Sequence, residues 1–250
     1  MTGETNVGVD PIDWLRLRVE YGKRGRLAFL GHLEVLSTIE RSVRRSGLPY
    51  AVSSGFAERT KMQFSSALPV GASSDSEFFD LMLTHHVEED EALEALRASM
   101  PMLMAPVRCG YKPRICPALD SWLDRSSWVV TVPRCSLDPE SLDMAIGEVK
   151  RTGTLEYMRK EKVKRIDLKR TLLSWASRRE GDHLLVDVVT AQTEGAHLRP
   201  GLLVDRALAM AGDERDRGSD GLSAVGVPPT LKVRRVRQWH DEDGLPVEAL

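Results

Sequence analysis

One stretch of the chain gathers the residues best suited to chemistry. Residues 22–48 read GKRGRLAFLGHLEVLSTIERSVRRSGL. A basic turn that contains Lys23, Arg24 and Arg26 precedes a lone histidine, His32, which opens an arginine-rich helical pattern. The dipole at a helix N-terminus disfavours an imidazolium, so His32 would be neutral and able to act as a general base. The cations beside it would stabilise a phosphate.

His32 also has a structural interpretation, which the sequence favours. It lies four residues before Leu36 and seven before Ile39, at the N-terminal edge of the apolar stripe of the predicted helix. No acid, thiolate or second histidine stands beside it at a spacing that suggests a catalytic pair. We therefore interpret His32 first as a packing or capping residue and only second as a candidate base, and we assign no other catalytic residue.

Charge is strongly segregated along the chain, although the formal net charge is only -2. Ten basic residues face four acidic ones between Trp14 and Lys61, and nine face three between Lys150 and Arg170. Such segments can follow a phosphate backbone, or they can pair with acids and simply solvate the surface. The residues that we predict to bind an anion or a nucleic acid are Lys23, Arg24, Arg26, Arg41, Arg44, Arg45, Arg59 and Lys61.

Several classes of site have no support in the sequence. Cys109, Cys116 and Cys135 have neither the spacing of an iron–sulfur cluster nor that of a zinc site. His85 and His86 end a predicted strand and would point to opposite faces, so they do not form a chelating pair. Neither phosphate-cradling glycine loop, GxxxxGK[ST] or GxGxxG, is present. We predict no metal site and no cofactor.

The composition is typical of a soluble globular protein, with 42% hydrophobic and 29% charged residues. The first residues lack the cationic start and apolar run of a secretory signal. No apolar stretch approaches the roughly 20 residues that a membrane-spanning helix needs. These features predict a cytoplasmic protein that makes no membrane contact.

Hydrophobic periodicity predicts two cycles of strands and helices. The first cycle comprises strands near 14–21, 48–53, 62–68, 77–84 and 102–108, with helices at 32–46 and 88–100. The second comprises strands near 127–132, 163–175, 184–190 and 231–239, with helices at 136–149 and 199–210. Helices that recur after strand pairs predict an α+β fold, and we expect two tandem ferredoxin-like α/β sandwiches with antiparallel sheets.

The domain boundaries follow from turn-forming residues. Residues 113–126 predict a linker between an N-terminal domain at 13–112 and a C-terminal domain at 127–250. We expect disorder at 1–12 and a flexible loop at 212–229.

Taken together, these motifs resemble the radical-SAM-linked protein family, an uncharacterised domain found fused to or beside B12-binding-type radical-SAM proteins. The resemblance runs from about Trp14 to Met210. The motifs that carry it are Lys23–Arg26, Gly31–Glu34, Arg41, Arg44, Arg45, Gly47–Pro49, Gly55-Phe56, Lys61, Phe64 and Leu68–Gly71. The segment Ala57–Lys61 departs from the proline- and asparagine-rich loop of that family.

The resemblance implies a radical-SAM partner, encoded nearby, whose cluster lies on another domain or chain. Our leading hypothesis is a non-catalytic module that binds RNA or a large anionic substrate for this partner. One alternative is a metal-independent RNA-processing enzyme that uses His32, with Lys61 or Arg59 stabilising the charge of the transition state. Another is a protein–protein adaptor that docks through the acidic helix, where Glu88, Glu89 and Glu91 lie.

Overall fold

The structure is a computed structural model that describes residues 13–53, 58–159, 161–193, 197–212, 227–228 and 230–250. The predicted disordered segment 1–12 lies outside the described residues, as does most of the predicted loop 212–229. The first half of the chain contains β1 (Leu15–Lys23), α1 (His32–Ser46), β2 (Met62–Phe64), β3 (Ala72–Leu83), α2 (Glu89–Ser99) and β4 (Pro106–Lys112).

Within the described residues, the second half adds four helices and seven strands around its own core. Its elements are α3 (Leu119–Trp122), β5 (Arg125–Val132), α4 (Pro139–Arg151), β6 (Thr154–Arg159), β7 (Lys162–Asp167), α5 (Leu168–Thr171), β8 (Leu172–Glu180), β9 (His183–Ala191), α6 (Pro200–Met210), β10 (Lys232–Glu242) and β11 (Leu245–Val247). Short 3-10 turns span Gly25–Phe29 and Met102–Met104.

Most strands join one nine-stranded sheet in the order β4-β1-β3-β10-β5-β9-β8, with β2 on β3 and β11 on β10. Every pairing is antiparallel except that of β3 with β10, where Ala72 lies opposite Val233. The predicted α+β class is therefore confirmed. The parallel pairing joins the two halves of the chain into one sheet, and the hairpin β6–β7 stands apart from it as a two-stranded sheet.

Each half has its own apolar core. Leu17, Ile39, Phe79 and Leu96 are among the buried residues of the first core. The second core includes Val130, Ile146, Val186, Leu203 and Val233. The division into domains at 13–112 and 127–250 stays a prediction, since one sheet runs through both halves. Within the predicted linker, α3 buries Leu119 and Leu123 against Phe78 of β3.

Helix α1 has the bounds that its sequence predicts. Its first turn is closed by Glu34, whose Oε2 accepts a hydrogen bond from the backbone N–H of Gly31 at 2.7 Å. The helix ends at Gly47, which adopts a φ of 75°, a left-handed conformation that glycine favours. Val35, Ile39 and Val43 are buried on one face, and this burial orients the N-terminus of α1 toward the end of β1.

Three element predictions need correction. The predicted strand at 163–175 is two strands separated by α5, and β6 was not predicted. Residues 102–104 form a 3-10 turn, and β4 begins only at Pro106. Proline has no backbone N–H, but at the first position of a strand this costs no hydrogen bond of the sheet. Residues 48–53 contribute only isolated bridges, such as that from Tyr50 to Leu83.

Candidate functional site

A small open cleft lies between the end of β1, the middle of β3, the segment after β2 and the N-terminus of α1. We call it the junction pocket, because Arg235 of the second half reaches the carboxylate in its wall. Its lining contains both polar and apolar side chains. The lining residues are Tyr21, Lys23, His32, Val35, Phe64, Ser65, Ser66, Ala67, Leu68 and Glu77.

Lys23, the last residue of β1, is buried in the wall of the pocket and only 2% exposed. Its Nζ donates hydrogen bonds to the carbonyl oxygens of Ala28 at 3.0 Å and Leu30 at 2.8 Å. These bonds hold the basic turn against the start of α1. Burial lowers the pKa of Lys23, although Glu77 acts in the opposite direction. Lys23 is therefore a buried cation that shapes the site, whereas the sequence suggested an exposed one.

Glu77 and Arg235 form a buried ion pair between the two halves. Their strands reach each other through the parallel pairing, in which Arg235 lies opposite Ser74. Arg235 Nη1 lies 3.2 Å from Glu77 Oε1 and 3.3 Å from Oε2. The guanidinium carbon lies 4.6 Å from the ring centroid of Trp128, and Nη1 donates to the carbonyl of Ser66 at 3.2 Å.

The buried charges of the pocket do not cancel. Lys23 and Arg235 supply two cations against the single carboxylate of Glu77, and all three are at most 4% exposed. Within the described residues, Glu77 Oε1 and Arg235 Nε have no hydrogen-bond partner. A buried charge that lacks full compensation is costly. The wall of the pocket is thus electrostatically suited to an anionic group.

Burial dominates the proton affinities of this site. It raises the pKa of Glu77, while Arg235 opposes that shift. Burial and the charge of Glu77 raise the pKa of Tyr21 well above its usual value, which keeps the phenol neutral. His32 has its pKa lowered by burial and by the nearby charge of Lys23.

His32 stands at the first position of α1, exposed at the mouth of the pocket. The sequence offered no acid partner at a suggestive spacing, but the fold brings the carboxylate of Glu77 to the same pocket from β3. The lowered pKa makes the imidazole neutral near pH 7. His32 therefore has the protonation state of a general base and lies beside the buried cation Lys23.

The other predicted anion-binding residues lie outside the pocket lining. Arg24 and Arg26 are exposed on the basic turn, and Arg24 Nε lies 3.4 Å from Asp75 Oδ1. Arg59 and Lys61 are exposed near β2. Of the eight predicted cations, the structure brings only Lys23 to the junction pocket.

The three arginines of α1 mostly contact their own surroundings. Arg44 pairs with Glu40 at 2.8 Å, and Arg41 Nη1 donates to Ser37 Oγ at 2.9 Å. Arg45 donates to the carbonyl of Ser99 at 3.0 Å and so links α1 to α2. Their role in binding an anion stays a prediction.

Two basic residues of the N-terminal segment are not surface charges at all. Arg16 and Arg18, which alternate with apolar residues on β1, both contact Asp80, whose side chain is fully buried. Arg18 forms a two-point contact with Oδ1 at 2.7 Å and Oδ2 at 3.0 Å. Arg16 Nη1 also lies 2.9 Å from the sulfur of Cys116. This cluster reduces the basic surface that the residue counts suggested.

Sequence reasoning missed Glu77, Arg235 and His197. Burial lowers the pKa of His197, as do the charges of Arg235 and Arg199. The alternation in residues 77–84 places Glu77 on the same face as Phe79, which is a usable signal for a buried acid. Arg235 carries no comparable signal, since the final strand contains several basic residues.

Two kinds of feature are absent from the described residues. Their His, Cys, Asp and Glu side chains form no group of three or more that could hold a metal ion. Among the helices of the described part of the chain, none is long and apolar enough to cross a membrane.

Comparisons with known proteins give a family and little else. No curated protein matches the chain. A crystal structure described as an unknown protein from Galdieria sulphuraria covers 90% of this chain and 98% of its own, with 9% identity and a TM-score of 0.25. A likeness at that level carries no conclusion. Residues 16–200 match the family described as "Uncharacterized protein conserved in bacteria (DUF2344)", and the chain therefore belongs to that family.

Proposed function

We propose that the chain is a binding module, without catalytic activity of its own, that holds an anionic group of RNA or of another large substrate. The observation that carries this proposal is the excess of buried positive charge at the junction pocket. Lys23 and Glu77 line the pocket, and Arg235 lies behind Glu77, so two buried cations accompany one carboxylate. An anion that entered the pocket would gain charge-assisted hydrogen bonds at a site already shielded from water.

The module serves a radical-SAM enzyme in this proposal. The resemblance of the basic turn and of α1 to radical-SAM-linked proteins supports this partner, which would supply the iron–sulfur chemistry. We place both proteins in the cytoplasm, which is consistent with the three free cysteines Cys109, Cys116 and Cys135.

We further infer that the two halves are tandem ferredoxin-like units. The strand order of the first half is β4-β1-β3-β2, and that of the second is β10-β5-β9-β8. If the strands of each half are numbered in chain order and β6–β7 is treated as an insertion, both orders read 4-1-3-2. The pocket would then lie where the first unit meets the last strand of the second.

Calorimetric titration with inorganic phosphate and with adenosine 5′-monophosphate tests the binding function. We expect Arg235→Gln to weaken binding by about 10-fold or more, because it removes a buried positive charge close behind the pocket wall. Glu77→Gln should tighten binding, because it removes the competing carboxylate. Arg234→Gln is the matched control, since this exposed neighbour on β10 pairs with Asp75 outside the pocket.

The proposal fails if the native chain binds neither probe. It also fails if the Arg235 and Arg234 variants lose affinity equally, because binding would then depend on positive charge at either position of β10 and not on the pocket. Circular dichroism of each variant checks that the fold is retained.

A second candidate function is metal-independent RNA processing. The observation that favours it is the position of His32, a neutral imidazole at the mouth of a pocket that contains Lys23. His32 would remove a proton from a ribose hydroxyl, and Lys23 would stabilise the phosphorane charge in place of Lys61 or Arg59. If His32→Ala leaves the cleavage of every tested RNA unchanged, this function is excluded.

A further inference from the structure

The hairpin β6–β7 projects from the second half as a basic arm. Its base is anchored in the core, where Leu155, Tyr157 and Ile166 are at most 5% exposed. The short helix α5 follows directly and contacts both strands of the hairpin. The base of the arm is therefore attached to the core, whereas Lys162 and Lys164 are exposed.

Four cations of this arm are exposed. They are Lys162, Lys164, Lys169 and Arg170. None of the four forms an ion pair within the part of the chain that the structure describes.

Two of the three acids of the same segment are already engaged, and the third, Glu161, is exposed at the turn between the strands. Glu156 pairs with Arg165 at 2.7 Å. Asp167 accepts hydrogen bonds from the backbone N–H groups of Lys169 and Arg170 at 2.9 and 3.3 Å. These contacts leave the four cations of the arm available to an external partner.

We propose that this arm, comprising β6, β7 and α5, binds the phosphate backbone of a nucleic acid. This proposal rests on the proposed function, in which the substrate is a large anion. It adds the class of that anion. Lys162 and Lys164 lie two residues apart on one face of β7, a separation of about 7 Å along the strand. Successive phosphates of an extended nucleic-acid strand can meet such a pair of cations in turn.

A nucleic acid suits this surface better than an acidic protein does. The cations follow one another along a narrow two-stranded ribbon, and a two-stranded ribbon can enter a nucleic-acid groove. Lysine contacts to phosphates act as point charges and require no base sequence. Binding through the arm should therefore be strongly salt-dependent and weakly sequence-dependent.

Fluorescence anisotropy on the full chain tests the proposal. The probes are a labelled single-stranded RNA, an RNA duplex and a DNA duplex of the same sequence, each titrated over a series of salt concentrations. The test variant is Lys162→Gln with Lys164→Gln. We expect this variant to bind the preferred probe more weakly. The slope of log K against log salt should also become less steep, by about 1.4 for a single strand or about 1.8 for a duplex.

Arg206→Gln with Lys232→Gln is the matched control, since it removes two exposed charges, from α6 and β10, that lie outside the arm and outside the predicted anion-binding residues. Equal losses in the two double variants would overturn the proposal, because binding would then depend on net charge alone. Equal affinity for polyglutamate, a polyanion without phosphates, would also overturn it. So would an unchanged salt slope in the hairpin variant.

The same samples separate this proposal from the pocket. If the hairpin variant loses nucleic-acid binding and the native chain binds neither phosphate nor adenosine 5′-monophosphate, the arm is supported and the pocket fails. If the hairpin variant binds nucleic acid like the native chain, the arm fails, and the pocket is judged by its own titrations.

Discussion

At the scale of single residues, the pocket makes the stability of the protein depend on the protonation of His32. Its pKa in the folded chain lies below the ordinary value of 6.5, through burial and the charge of Lys23. Between these two pKa values the unfolded chain binds more protons than the folded chain, so stability rises with pH across that window. We expect native protein to lose stability relative to His32→Gln as the pH falls below about 6.5. Urea unfolding of both proteins over a pH series measures this difference, and parallel stability curves would contradict it.

Loss of the Asp80 carboxylate should be costly. It is fully buried and compensates both Arg16 and Arg18. Asp80→Asn keeps the size of the side chain but leaves two buried guanidinium groups without their counter-charge. Removal of one partner from a buried ion pair costs about 3–5 kcal/mol. Denaturant unfolding should show a loss of this size, whereas Arg44→Gln, which removes an exposed pair with Glu40, should cost less than about 1 kcal/mol.

At the scale of elements, two glycines have opposite roles that substitution should reveal. Gly47 ends α1 with a φ of 75°, a conformation in which a Cβ is strained although no atom lies within 4 Å of the added carbon. Gly147 lies inside α4, where an added Cβ would meet Trp175 at an ordinary 3.7 Å. We expect Gly47→Ala to destabilise by about 1–2 kcal/mol and Gly147→Ala to stabilise by about 0.5–1 kcal/mol. Thermal unfolding checks both, and equal shifts in the two melting temperatures would contradict the assignment.

Elements with a clear period were predictable, and exposed or irregular ones were not. Helix α1 has an apolar stripe and a terminal glycine, and both of its ends lie where the pattern predicts. The hairpin β6–β7 buries few side chains beyond its base, and most of the residues of β7 are exposed. Its sequence therefore lacks the alternation of apolar and polar residues that marks a half-buried strand. Burial on one face, rather than strand propensity, is what made the other strands visible in the sequence.

At the scale of the whole molecule, the candidate site depends on a pairing between distant segments. Lys23 and His32 were predicted because they are close in the sequence. Glu77 and Arg235 are 158 residues apart, and they meet only because β3 and β10 pair in parallel at the middle of the sheet. Element periodicity predicts that each strand exists, but it does not predict which strands of the two halves become neighbours.

The same pairing should couple the stability of the two halves. Glu77 belongs to the first half and Arg235 to the second, and their side chains are 5% and 2% exposed. Glu77→Gln leaves two buried cations without a counter-charge and should destabilise by about 3 kcal/mol or more. Arg235→Gln should cost less, because Lys23 still faces the carboxylate of Glu77. The double variant removes both charges. Its loss of stability should be about 1–3 kcal/mol smaller than the sum of the two single losses. A double-mutant cycle measured by denaturant unfolding gives this coupling directly. A value near zero would mean that the contact between β3 and β10 holds the halves together without a contribution from the buried pair.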